Sequence, residues 1–488
     1  MSQAKQYIAV DLGAESGRVM LGDISDKKIS LEECHRFPNA SVEEDGALRW
    51  DFQRLTGEIK TGIGKAVERS DFPISGISVD SWGVDFGLLD VHGQLLENPY
   101  HYRDKLMDGI LDKAFELMPK REIYEHTGIQ FMQINSAYQL LAMRLAGTKS
   151  LIRAKYLVMI ADLVEYYLCG KIFTEYSLGS TSQLMNMATG QWDNAVFNKL
   201  KLPREIMPEI VPTGSVVGKL KNDLADELGC GAVPVIAAGS HDTACAVVAV
   251  PAAGDDWAYL SSGTWGLMGL EVPDAIINDK TFEYQFTNEG GACGKIRLLK
   301  NIIGLWPVQE CRRQWRQEGE ELSYTELTKM AAAAKPFAGR IDPDYHEFLS
   351  PGDMPGKIKR YLKRTGQESF DNKGQLIRIV LESLAFKCRA VMDMMEDIKQ
   401  KPIEVLHIVG GGIQNELLCQ FTANAIGKKV IAGPVEATAS GSVIMQAIAT
   451  GQIGSLQQGR QIIRDSYSMR EYEPRDKNLW DKKYKKRL

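Results

Sequence analysis

The chain has 488 residues, 44% of them hydrophobic and 25% charged, and carries a net charge of −5. This is ordinary globular usage on a chain longer than the ~250–300 residues at which one core stops growing, so a sizeable core rather than disorder is the expectation, and two domains fit comfortably. The only basic block is the terminal Lys482–Lys483 and Lys485–Lys486–Arg487, and no stretch approaches the ~18 apolar residues of a membrane span, so neither a nucleic-acid partner nor a membrane partner is expected.

Apolar periodicity and turn residues divide the chain into elements. Residues 7–11, 18–24 and 29–37 read as the strands of a meander, 55–70 as a helix and 74–80 as a buried strand. Between the first two strands lies Asp11–Leu12–Gly13–Ala14–Glu15–Ser16–Gly17–Arg18. Two glycines and small neighbours allow a tight hairpin whose backbone N–H groups approach an anion, and Arg18 offers a charged fork to phosphate oxygens. Asp11, at a strand end, can hold Mg²⁺ directly or through water. An ordinary hairpin fits the same residues.

A further strand is expected over 82–90, opened by Asp80–Ser81–Trp82–Gly83–Val84–Asp85–Phe86. Two carboxylates beside an indole suit a sugar, although a turn with one core tryptophan has the same pattern. Helical periodicity then dominates 106–169. A strand over 233–237 leads into Gly239–Ser240–His241–Asp242–Thr243 and a small-residue helix over 244–250. Ser240 is the expected N-cap. Asp242, in the first turn, is either a structural acid or a general base, and His241 either a sugar contact or a structural group. The helix dipole predicts an ionised, weakly basic Asp242, which dissociative phosphoryl transfer tolerates.

Pro251–Asp255 reads as a turn, after which the pattern starts again. Strands are expected over 257–261, 266–270 and 295–298, with Ser261–Ser262–Gly263–Thr264 joining the first two. A long helix over 376–398 precedes a strand over 404–409, the run Gly410–Gly411–Gly412–Ile413–Gln414–Asn415, a helix over 415–426, a strand over 430–432 and a helix over 438–450. Thr264 can bond a phosphate, and three glycines let a planar group lie against backbone near a helix N-terminus. Neither GxGxxG nor a P-loop GK[ST] occurs. The eight cysteines show no CxxC and no metal-ligand spacing, which favours free thiols in a reducing compartment. The apolar run 7–10 is too short for a secretory signal, so a cytoplasmic protein is expected.

Seven blocks in chain order carry a resemblance: DSWGVDFGLLD at 80–90, GSHDTA at 239–244, YLSSGTW at 259–265, LKNIIGLW at 299–306, SPGDMP at 350–355, IVGGGIQN at 408–415 and AGPVEATA at 432–439. Together with the first hairpin they resemble the FGGY family of carbohydrate kinases, nearly end to end. The resemblance implies an α/β protein of two ribonuclease-H-like (actin-like ATPase) lobes with an interlobe cleft, 1–246 binding sugar and 247–488 binding nucleotide. It implies Asp242 as the proton acceptor, and Gly83, His241, Asp242, Thr243 and Asn301 as sugar contacts, beside the Trp82 and Asp85 read from the residues above. ATP would be held by Ala14, Glu15, Ser16, Gly17, Arg18, Thr264, Gln309 and Gly411, with Mg²⁺ at Asp11. The implied activity is ATP-dependent phosphorylation of L-rhamnulose at its C1 hydroxyl in L-rhamnose degradation. Kinases of another ketose or polyol, such as L-fuculose or D-xylulose, and an actin-like regulatory ATPase are the alternatives. Three residues depart from the family pattern: Glu15 and Gly266 stand where serine is usual, and Ala161 where proline is usual. A carboxylate at position 15 must turn away from ATP or reach Mg²⁺.

Overall fold

Apolar runs at the N-terminus fold as the expected meander of β1 (Lys5–Leu12), β2 (Ser16–Ser25) and β3 (Lys28–Pro38), with β1 buried from Gln6 onwards as a central strand must be. The computed structural model describes residues 5–485, so Lys486 and Arg487 of the basic tail lie outside the described residues. Helix α1 (Phe52–Arg69) starts where the Asp51 side chain accepts from Arg54 N, and buries Phe52, Leu55, Ile59, Ile63 and Ala66 at helical spacing. Strand β4 (Ile74–Ser81) follows; β5 (Ser215–Lys219), β6 (Pro234–Ala237) and the short helix α2 (Asp242–Val248) come later. The pattern then repeats with β7 (Trp257–Ser262), β8 (Trp265–Val272), β9 (Thr287–Gly290), β10 (Ile296–Ile303), α3 (Trp306–Gln317) and α4 (Lys373–Lys399). It closes with β11 (Val405–Val409), α5 (Glu416–Ile426), β12 (Lys429–Ala432), α6 (Ala437–Ala449), α7 (Leu456–Ser466) and β13 (Arg470–Tyr472).

Two compact units emerge. The first contains the chain up to Ala249 together with Glu271–Leu298 and Ala437–Ser466, and the second Val250–Leu270, Leu299–Glu436 and the chain from Tyr467. The first unit's sheet has the order β5-β6-β4-β1-β2-β3. Strand β1 runs antiparallel to β2, pairing Asp11 with Arg18, and parallel to β4, pairing Asp11 with Asp80. In the second unit β7 runs antiparallel to β8 and parallel to β11, which is parallel to β12, and β13 adds an antiparallel edge. Each sheet therefore has a hairpin whose first strand is flanked by a parallel strand ending in a functional-looking turn.

The structure differs from the sequence reading in three places. Only Phe86–Leu89 of 82–90 is a strand, because Val84 takes a φ of +71° and bends the chain before it. The helical stretch after residue 106 is interrupted by a strand, Tyr156–Met159. The division at 246/247 is crossed by α6 and α7, which return to the first unit, where Gly441 of α6 lies against the backbone of Cys245 in α2. Packing between segments so far apart in the chain leaves no local pattern to read. Among the described residues, no helix is long and apolar enough to cross a membrane.

Candidate active site

Strand register gathers acids at one end of the first unit's sheet. Asp11 and Asp80 stand side by side on β1 and β4, and the next residue, Ser81, bridges to His241 just ahead of α2 while its N–H donates to Ser240 O at 2.8 Å. Asp11, expected to hold Mg²⁺, is ion-paired with Arg18, expected to hold phosphate. Asp80 is buried, and neither carboxylate oxygen has a hydrogen-bond partner. Its burial, reinforced by the charges of Asp11 and Asp242, pushes the Asp80 carboxyl well above the usual range; Arg18 opposes this. Unpartnered buried oxygens beside a second carboxylate suit a cation. Among the described residues, no three His, Cys, Asp or Glu side chains form a cation cage by themselves.

The turn between β1 and β2 is closed by Gly13 N donating to Ser16 O at 2.9 Å and braced by Asn39 Nδ2 on Gly13 O at 2.9 Å. Gly17 is needed for space, since a Cβ there would lie 2.3 Å from the Phe37 ring. Glu15 is exposed at the turn's tip.

His241, not Ser240, is the N-cap residue of α2, and it makes no side-chain cap. Asp242 is one-third exposed at its side chain (33%) and accepts from Thr243 Oγ1 at 3.0 Å, with His241 Nε2 at 3.4 Å from Oδ1. Burial raises the pKa of Asp242, and the charge of His241 opposes this.

Gly83 lies beneath Thr181, whose side-chain atoms come within 3.0–3.1 Å of where a Cβ would sit. Val84 N donates to Thr181 Oγ1 at 3.0 Å, which holds the left-handed φ of a β-branched residue, a conformation that costs about 1–3 kcal/mol and persists where surroundings enforce it. Asp85 and Trp82, expected as sugar contacts, are both buried. Asp85 Oδ2 accepts from Trp50 Nε1 at 2.6 Å, Trp82 Nε1 at 2.9 Å and Tyr102 N at 3.3 Å, and Oδ1 accepts from Gln139 Nε2 at 2.9 Å. Its protein partners thus occupy both oxygens, and the carboxylate acts as the clasp of an aromatic stack in which Trp50 lies 4.3 Å from Trp82 and 4.2 Å from His101. Burial raises Asp85 to about 6, the two indoles and Gln139 pulling it back in part.

The remaining expected residues belong to the second unit. Thr264 and Gly263 form the β7–β8 turn, which Gly304 approaches so closely that a Cβ there would lie 2.5 Å from Gly263 O. Gln309 is in the first turn of α3, its Oε1 buried without a partner, and Asn301 is on β10. The triple glycine divides its labour. Gly410 takes a φ of +86°, and Gly412 packs on Ser262, whose Oγ would be 2.0 Å from an added Cβ. Gly411 is exposed, with no atom within 4 Å of its Cβ position, and a short 3₁₀ turn at Gly411–Gln414 precedes α5.

Residues 6–249 match the N-terminal domain of the FGGY family of carbohydrate kinases, and residues 258–450 match its C-terminal domain. The chain belongs to that family. It is 42% identical over 480 residues to a rhamnulokinase of Bacteroides thetaiotaomicron, covering 98% of each chain. It is 40% identical to a rhamnulokinase of Halalkalibacterium halodurans, covering 96% of this chain and 99% of that one. Among solved structures it superimposes on a ligand-bound xylulose kinase of Lactobacillus acidophilus with a TM-score of 0.83 at 19% identity, covering 99% of this chain and 96% of that one. A Plasmodium falciparum glycerol kinase with ADP gives 0.76 at 15% identity over 99% and 96%. The expected two-domain α/β fold is that of these kinases. The chain is a carbohydrate kinase, and FGGY kinases use ATP.

Some residues of this FGGY site escaped the sequence reading. Glu289 and Arg297 surround His241, and Gly304 crowds the β7–β8 turn of the second unit. Strand Thr287–Asn288–Glu289–Gly290 is buried along its whole length yet holds no Val, Ile, Leu or aromatic side chain, and a buried acid of this kind is seldom left without a partner.

Proposed function

We propose that this FGGY kinase transfers the γ-phosphoryl group of ATP to the C1 hydroxyl of L-rhamnulose, forming L-rhamnulose 1-phosphate in the degradation of L-rhamnose. The observation that carries this reading is the 42% and 40% identity to two rhamnulokinases over nearly whole chains. Asp242, partly exposed and with its pKa raised, supports it as the base. Asp242 accepts the hydroxyl proton while Thr243 holds its Oδ1, and His241, Gly83 and Asn301 contact the sugar. Trp82 and Asp85 serve the same pocket indirectly, as its aromatic wall and clasp. The sugar lobe is then 1–246 and the nucleotide lobe 247–488, less Glu271–Leu298 and Ala437–Ser466, which pack in the first compact unit.

Ala14, Glu15, Ser16, Gly17 and Arg18, with Thr264, Gln309 and Gly411, hold ATP in this reading. An incoming phosphate competes with Asp11 for Arg18, which releases Asp11. Mg²⁺ fits Asp11 and the unpartnered Asp80, since this ion takes one or two carboxylates and completes its shell with phosphates and water. When bound it neutralises charge on the phosphates. The cytoplasm is the compartment that suits eight free thiols.

An ADP-release assay with L-rhamnulose, L-fuculose, D-xylulose and glycerol tests the substrate. L-Rhamnulose is expected to have the highest kcat/KM, at least about tenfold above the others. A higher value for another substrate, or ADP release indifferent to sugar, rejects the reading.

A further inference from the structure

Arg297, on β10, has no exposed surface, and its guanidinium faces three acceptors. Nε donates to Gly290 O at 2.8 Å, and Nη2 lies 2.9 Å from His241 Nδ1 and 3.1 Å from Glu289 Oε2. A guanidinium has donors only and does not lose its proton in proteins. The 2.9 Å contact therefore requires a lone pair on His241 Nδ1. Glu289 Oε2 stands farther from the same nitrogen, at 3.4 Å, so the nearer Arg297 contact decides which ring nitrogen keeps the proton. The role of Glu289 itself is to balance Arg297. Burial pushes the Glu289 carboxyl up, but it stays below the usual carboxylate range, and the Arg297 charge beside it is among the pulls that hold it there.

We propose that Arg297, braced by Glu289, locks His241 as the Nε2–H tautomer and so makes it a hydrogen-bond donor toward Asp242 and the ligand. With Nδ1 occupied, Nε2 carries the ring's single proton and lies 3.4 Å from Asp242 Oδ1. Polar roles are then divided: Asp242 accepts and His241 donates. The backbone of His241 is held independently, its N–H donating to Ser177 Oγ at 3.3 Å, so Arg297 acts on the ring rather than on the loop. For catalysis the consequence rests on the ketose-kinase reading: His241 recognises a sugar oxygen through that oxygen's lone pair, and Arg297 and Glu289 are positioning residues for that contact.

The test is ¹⁵N NMR of the full chain labelled at histidine, with the His241 signals identified by their loss in His241→Gln. The lock predicts an unprotonated, imine-type Nδ1 and a protonated Nε2. In Arg297→Met the two nitrogens are expected to move toward the averaged shifts of mixed tautomers, and KM for L-rhamnulose to rise about tenfold while KM for ATP stays within about twofold. Arg297→Met leaves a buried vacancy and can fail to fold, so Glu289→Gln, which keeps shape and loosens the brace, is measured beside it; a smaller shift in the same direction is expected. A protonated Nδ1 in the wild type, or an unchanged tautomer in the folded variants, overturns the proposal. If the tautomer responds as stated but no ketose is phosphorylated, the lock stands and the substrate reading fails.

Discussion

Replacing Gly441 by alanine tests whether backbone packing behind α2 sets the position of Asp242. An added Cβ on α6 would lie 1.8 Å from Cys245 O and 2.6 Å from its carbonyl carbon, backbone atoms that cannot rotate away. Real Cβ atoms essentially never come under 3.0 Å, so the helices must part by the difference, about 1.2 Å. Overpacking of this kind costs about 1–3 kcal/mol. A catalytic effect of similar size accompanies it, because Cys245 is one turn after Asp242 in a helix of only seven residues, which moves as a rod. A misplacement near 1 Å costs about 100-fold in rate. Gly441→Ala should therefore stay folded with a lowered urea midpoint, and its kcat with L-rhamnulose should fall about 100-fold with KM for ATP unchanged. Gly57→Ala is the control: its position on α1 is exposed with no atom within 4 Å, so a gain of about 0.5–1 kcal/mol and normal turnover are expected. Wild-type stability and kcat in Gly441→Ala would refute the argument.

Asp242→Asn should lower kcat by about 10²–10⁴-fold while leaving ATP and ketose affinities, read by calorimetry, within a few-fold. Gly412→Ala, with its Cβ 2.0 Å from Ser262 Oγ, should raise KM for ATP at least about tenfold and leave KM for the ketose unchanged, since the clash lies within the second unit's turn. Asp85 supplies a pH signature. Its pKa rises from 3.8 to about 6 on folding, so the folded state holds a proton that the unfolded state has lost, and this contribution is fully present below 3.8 and is lost as pH rises through 6. The shift corresponds to about 3 kcal/mol. Urea unfolding of wild type against Asp85→Asn should show the wild type's relative stability falling by up to that amount between pH 4 and pH 8; a constant or growing difference would rule the assignment out.

Much of the candidate site was legible because its chemistry is contiguous in the chain. The hairpin at Gly13–Gly17, the turn at Gly263–Thr264, the triple glycine and the His241–Asp242 pair each announce themselves within a few residues, since tight turns restrict residue type locally. The alternation of apolar runs likewise determined the α/β class and most element spans. What the sequence could not determine is who stands beside whom. Asp11 and Asp80 become neighbours only through the β1–β4 register, and Arg297 meets His241 only when β10 is laid down beside α2. Gly441 reads as one small residue among many until α6 returns to the first unit. Burial adds what local pattern cannot: it lifts the pKa of Asp242, and it makes Asp85 the clasp of two indoles. Periodicity specifies which face of an element is buried, but register and desolvation are sums over residues distant in the chain, and only the folded structure performs them.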